Sequence, residues 1–246
     1  MFVLGVDTAT AVTSVAVGTE EGPCACVTVR HERAHAELLA PSVRWVLDQA
    51  GVEPSSLAGI AVGTGPGLFT GLRVGVASAK ALAQAWKLPM VAVPSLDLVA
   101  YAHRHAARTI CATIDARRGE VFAALYRHAP AGIQRTTRYA VMRPDRLAAE
   151  LEARREDVLI CGDGVLRHAS LFERICPELG GSAHAAPSAA SLVELALPRF
   201  HREQTSRPLD VTPMYLRRPD IDPSVERRLA AGRPGRPGGG AVAAEA

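Results

Sequence analysis

Two aspartates stand where short apolar runs give way to turn-forming residues. Asp7 precedes Thr8-Ala9-Thr10 after the run Phe2 to Val6, and Asp115 precedes Ala116-Arg117-Arg118-Gly119 after Thr109 to Ile114. A carboxylate in that place has two uses. It can hold a hard divalent cation, which prefers carboxylate oxygens, or it can close its own turn by accepting a backbone N–H. Arg117 and Arg118 suit a phosphate or an acidic partner, and equally an ion pair with Glu120. Other chemistry is poorly provided for. His31 and His35 are four apart, as in zinc sites on one helical face, but His31 ends a strand-like run and no third ligand is obvious. His103 and His105, two apart, fall on opposite sides of a helix. The five cysteines include no Cys-x-x-Cys pair, and there is no Gly-x-Ser-x-Gly elbow.

The elements that position these residues follow from periodicity and punctuation. The glycine-rich stretch Gly63-Thr64-Gly65-Pro66-Gly67 lies between the apolar run Gly59 to Val62 and a helical pattern ending near Trp86, so it reads as strand, loop and helix. Such a loop offers N–H groups to an anion. It lacks the lysine and Ser/Thr of a P-loop and the glycine spacing of a dinucleotide fingerprint. On the helix, Gly71, Val74, Gly75, Ser78, Ala79, Leu82 and Trp86 share one side, with Arg73, Ala77, Lys80, Gln84 and Lys87 opposite. Glycine inside a helix costs about 1 kcal/mol relative to alanine. Gly71 and Gly75 therefore imply close approach of a second helix or of the helix's own sheet. The preceding helix, Ala34 to Ala50, carries Leu38, Leu39, Val43, Val46 and Leu47 on an apolar side broader than one sheet usually covers, which marks an interface. Pro41 should bend it or begin it anew.

Three β-like segments, Phe2 to Val6, Ala11 to Val17 and Cys24 to Val29, form a meander ahead of that helix, and Met90 to Val93 with a short helix from Ser95 to about His105 complete the first half. The strand, aspartate, turn and strand scheme recurs from Thr109 to Tyr126. A strand over Ile133 to Tyr139, a helix over Arg143 to Arg155, the strand Val158 to Cys161 ending at Gly162-Asp163-Gly164, and further helices follow. The chain reads as a duplicated α/β unit. Its 246 residues, 48% hydrophobic with a net charge of +3, suit one large or two modest globular domains, and the basic excess is too small to imply nucleic acid by itself. The opening apolar run is too short for a signal peptide or a membrane span. From Pro219 to Ala246, Arg, Pro, Gly and Ala dominate, the composition of a disordered tail.

The run Gly65 to Lys80, together with Asp7 to Thr10, Asp115 to Val121 and Pro213-Met214-Tyr215-Leu216-Arg217, resembles the TsaB (YeaZ) family over about residues 1 to 217. The resemblance implies an α/β fold of the actin, hexokinase and Hsp70 (ASKHA) class, with two βββαβαβα, ribonuclease H-like lobes at 1–106 and 107–218. The last helical segment would be able to pack back on the first lobe. It implies a non-catalytic, cytoplasmic scaffold that binds and activates the TsaD-type transferase making threonylcarbamoyladenosine in tRNA. A TsaE-type ATPase would join, the chain would form a homodimer when alone, and tRNA would be reached only through the complex. No cofactor would be tightly bound; ATP or ADP with magnesium would sit at the complex interface. The nucleotide candidates are Asp7, Thr8, Thr10, Asp115, Gly162 and Gly164. The interface candidates are Leu38, Leu39, Val43, Val46, Leu47, Gly71, Val74, Gly75, Ser78, Ala79 and Leu82. Catalytic relatives carry a metal-binding His-x-x-x-His after the fifth strand, where this chain has Ser95-Leu96-Asp97-Leu98-Val99. The competing readings are an ATP-dependent phosphotransferase of the same architecture and a glycoprotease-like peptidase.

Overall fold

In this computed structural model, which describes residues 1–31, 34–130, 132–176 and 178–217, strands β1 (Phe2–Asp7), β2 (Val12–Thr19) and β3 (Gly22–Arg30) pair antiparallel as the expected meander. The expected tail lies outside the described residues. Helix α1 (His35–Ala50) runs through the exposed Pro41 and ends on Gly51, whose φ of 63° suits glycine at a left-handed cap. Strand β4 (Leu57–Gly63), helix α2 (Phe69–Ala85) and strand β5 (Met90–Val93) follow, and β4 and β5 add in parallel to give the sheet order β3-β2-β1-β4-β5. Helix α3 (Ser95–Tyr101) is shorter than its pattern suggested.

The second half opens on the hairpin β6 (Thr109–Arg117) and β7 (Glu120–Ala129). The single strand expected over Ile133 to Tyr139 is split. Strand β8 (Gly132–Arg135) pairs with the far end of β7, and β9 (Ala140–Met142) pairs with its start. At the break, the Leu125 N–H donates to Thr137 Oγ1 at 2.9 Å, so a threonine hydroxyl replaces the ladder bond. Helix α4 (Pro144–Arg154), strand β10 (Val158–Cys161) and the short helices α5 (Asp163–Arg167) and α6 (Ala169–Phe172) complete this layer, with β10 parallel to β6. Here the second half departs from a full repeat. Helix α7 (Ala189–His201) crosses back to the first sheet.

Alternation along the strands explains the layers. Leu4, Val6, Val15, Val17, Ile60 and Val62 meet α1 and α2 on one face, while Val3, Ala16, Ala61, Val91 and Val93 meet α7 on the other. A sheet covered on both faces needs apolar residues at nearly every position, which is why β1 reads as a continuous apolar run. Helix α3 serves both sheets: Leu98 joins the α7 layer, and Leu96, Val99 and Ala100 pack on Ile110, Ile114 and Tyr126. Met1–Leu216 consequently form one unit. No helix among the described residues is long and apolar enough to cross a membrane.

Candidate functional site

Both aspartates close their hairpins in the same way. Asp7 Oδ1 accepts the Ala9 N–H and Asp115 Oδ1 accepts the Arg117 N–H, each at 2.9 Å and each from two residues ahead. Beyond that turn they differ. Asp7 is 1% exposed, and its other oxygen accepts the Ser95 hydroxyl at 2.7 Å, while Ser95 Oγ accepts the Gly65 N–H at 3.1 Å. Burial pushes the Asp7 carboxyl up to about 6, against the opposing pull of the Ala9 and Ser95 hydrogen bonds. Thr8 Oγ1 donates to the Gly71 carbonyl at 2.7 Å, and Thr10 Oγ1 accepts the Val12 N–H at 3.2 Å. Asp7, Thr8 and Thr10 thus each hold an internal tie of the first hairpin.

The second hairpin is more polar. Arg167 Nη1 donates to Asp115 Oδ2 at 3.1 Å, and Arg117 Nη1 lies 3.7 Å from the same oxygen. The Asp115 N–H donates to Asp163 Oδ1 at 2.9 Å. Burial, reinforced by the Asp115 charge, pushes Asp163 up to about 6, although that backbone N–H and the charges of Arg30 and Arg117 oppose the rise. A Cβ on Gly162 would run into the Thr113 carbonyl, and one on Gly164 would stand 3.0 Å from the Ile114 carbonyl carbon. These glycines let α5 sit close on β6. Of the two histidines four apart, His35 is buried with Nδ1 2.7 Å from Thr13 Oγ1, and His31 is exposed. Among the described residues, no three His, Cys, Asp or Glu side chains converge so as to hold a metal.

The helix pair is where sequence and structure part. A Cβ on Gly71 would strike the Thr8 carbonyl and one on Gly75 the Thr8 hydroxyl, while Ala79 is wholly buried. The small-residue stripe therefore faces this chain's own first hairpin and sheet, which corrects its placement on an outward interface. Val46 is likewise interior, whereas Leu38, Val74, Ser78 and Leu82 are half-buried. Between the two helices lies an open groove of about 660 Å³. Leu39, Val43 and Leu47, counted in the core, also line it, together with Ala40, Ala81 and Trp86. Ala40 and Ala81 escaped the periodicity argument because alanine on a solvent face carries no signal. Trp45, also on α1, is 47% exposed.

The family model described as TsaD: tRNA N6-adenosine threonylcarbamoyltransferase matches residues 28–221. The Bacillus subtilis tRNA threonylcarbamoyladenosine biosynthesis protein TsaB is 30% identical over 88% of this chain and 94% of its own length. YeaZ from Pseudomonas aeruginosa, a solved structure, aligns with a TM-score of 0.75 at 32% identity, covering 87% of this chain and 99% of that one. A remoter likeness shows fold alone: (R)-2-hydroxyglutaryl-CoA dehydratase component A from Acidaminococcus fermentans, 13% identical with a TM-score of 0.50, over 83% of this chain and 99% of the other. That likeness lies in the shared α/β fold, which here is built on two mixed sheets.

Proposed function

The chain belongs to the TsaB (YeaZ) family and is a tRNA threonylcarbamoyladenosine biosynthesis protein, and from that premise we propose that it binds and activates a TsaD-type transferase without carrying the reaction itself. The observation that carries this reading is the α1–α2 groove, with an apolar floor from Leu39, Val43 and Leu47 and small walls at Ala40, Ser78 and Ala81. Small walls admit another helix pair closely, and an apolar floor rewards its burial at about 25 cal/mol per Å². A transferase of the same fold carries the equivalent two helices, so pair packs on pair. A second copy of this chain fills the groove when the transferase is absent. Two further features support an activating role. Asp7 and its neighbours are tied internally, and the positions of the metal-binding histidines are taken by Ser95, bonded to Asp7, and by the core residue Val99. A TsaE-type ATPase joins the assembly, with ATP or ADP and magnesium held at the complex interface.

The test is Ala81→Arg. The residue is exposed on α2 and lines the groove, so the fold has room for the new side chain while a docked helix does not. We expect native circular dichroism, loss of any dimer on size exclusion, and about hundredfold weaker capture of the transferase, from steric bulk and an unpaired charge. A folded variant that captures the transferase as tightly as the parent chain refutes the groove as the docking site.

A further inference from the structure

The last described segment runs back along another flank of α2. Met90 and Ser206 exchange backbone hydrogen bonds at 2.8 and 3.0 Å, Lys80 Nζ donates to the Leu209 and Val211 carbonyls at 3.3 and 2.9 Å, and the Met214 N–H donates to the Thr64 carbonyl at 2.7 Å. These bonds deliver Tyr215 to the first turn of α2. Its ring lies 5.2 Å from that of Phe69 at 41°, and the Arg73 guanidinium carbon sits 4.3 Å over the Phe69 ring. The result is a short stack of cation and two rings at the surface. Tyr215 is 42% exposed, Arg73 is exposed and Phe69 is half-buried.

A stack built only to clamp the segment would bury its rings, because the gain from an aromatic contact comes mostly from area removed from water. This one leaves ring surface and a guanidinium in solvent. Its surroundings are one-signed. From Phe69 to Lys87 the chain carries Arg73, Lys80 and Lys87 with no acidic residue, and the segment 205–216 adds Arg207 and the single acid Asp210. Asp210 is occupied by Arg207 at 2.9 Å.

The geometry points to a nucleic-acid contact: Arg73, Phe69 and Tyr215 form a stacking platform for an unpaired RNA base, and the cationic flank of α2 follows its phosphates. Every base offers a π-face to an aromatic ring or guanidinium, and phosphates seek cations unaccompanied by carboxylates. The proposal rests on the reading above, in which the chain works on tRNA within an assembly, and adds a direct contact between this subunit and the RNA. An acidic protein partner would find the cations but would gain nothing from exposed rings placed to stack.

The experiment measures fluorescence anisotropy of the full chain with an unmodified tRNA transcript and with a short single-stranded RNA, across salt concentrations, beside a transferase-capture assay. Tyr215→Ala should weaken RNA binding by about five- to a hundredfold, the range for loss of one stacking ring. Tyr215→Phe should retain it, since stacking needs the ring and not the hydroxyl. Arg73→Glu, at an exposed position that leaves the fold intact, should weaken binding and reduce its salt dependence. A parent chain that fails to bind either RNA at low salt, or a folded Arg73→Glu and Tyr215→Ala pair that bind like the parent, overturns the platform. Loss of transferase capture with unchanged RNA binding also overturns it and makes the patch a protein contact. Failure of the parent chain to capture the transferase overturns the activating role instead, whatever the RNA assay reads.

Discussion

Asp7 holds its proton to higher pH in the folded chain than in the unfolded one. Burial lifts its carboxyl from the ordinary 3.8 to about 6, so between those values the native state binds more protons than the unfolded state. The resulting stabilisation is fully present below about pH 4 and is lost as pH rises through about 6; over two units it amounts to about 3 kcal/mol. Asp163, also pushed up to about 6 by burial, acts with the same sign. Asp7→Asn keeps an acceptor for the Ala9 N–H and removes the titration. We expect stability to fall less steeply between about pH 4 and 6 in this variant, with little loss near neutrality, as read from urea midpoints across that range. An unchanged slope would mean that Asp7 is already ionised in the native fold.

Helix α2 shows how an element's partner decides what its glycines are for. Gly71 faces the Thr8 backbone and Gly75 the Thr8 side chain. Alanine would add about 1 kcal/mol of helix propensity at either place, but overpacking costs about 1–3 kcal/mol. At Gly71 the obstacle is a carbonyl that cannot rotate away, so Gly71→Ala should be destabilising on balance. At Gly75 the obstacle is a hydroxyl, so Thr8→Ala should relieve Gly75→Ala and the pair should couple by about 1 kcal/mol or more in a double-mutant cycle. Gly75→Arg is expected to unfold the first sheet and not merely to block a partner. Urea midpoints of the single and double variants decide both points.

Across the whole molecule the two sheets are joined through α3. Asp97 Oδ1 accepts the Tyr126 hydroxyl at 2.8 Å and the Tyr139 hydroxyl at 2.7 Å, which ties α3 to the second sheet at its interior and at its edge. Burial raises the Asp97 pKa while these two hydroxyls oppose the rise, and burial drives both tyrosines upward, so the donors remain protonated. Tyr126→Phe removes a hydrogen bond to a charged group at a buried site and should cost about 1–3 kcal/mol. Tyr139→Phe, at a half-buried ring, should cost less. Because Met1–Leu216 form one unit, thermal unfolding should remain a single cooperative transition in both variants. Separate melting of the two sheets would show that the Asp97 link holds them together.

The order and type of most elements were legible in the sequence because they rest on neighbours one or two turns apart. Short apolar runs bounded by turn residues wrote β1 to β7, the 3.6-residue period wrote α1, α2 and α4, and the paired aspartate turns exposed the duplication. The turn-closing role of Asp7 and Asp115 was one of two open readings, since a bond to the residue two ahead is local. Tertiary structure alone decided which neighbour each face would meet. Thr8 reaches Gly71 across 63 positions and Ser95 reaches Asp7 across 88, so neither could be inferred from spacing. A stripe of small residues looks the same against a foreign helix and against its own hairpin. An amphipathic helix such as α7 carries a period but no address, and it covers the first sheet because α3 and the second sheet bring the chain back there. Periodicity is set by the backbone geometry of each element, whereas the choice of partner face depends on closing loops of many residues, which no short window of sequence contains.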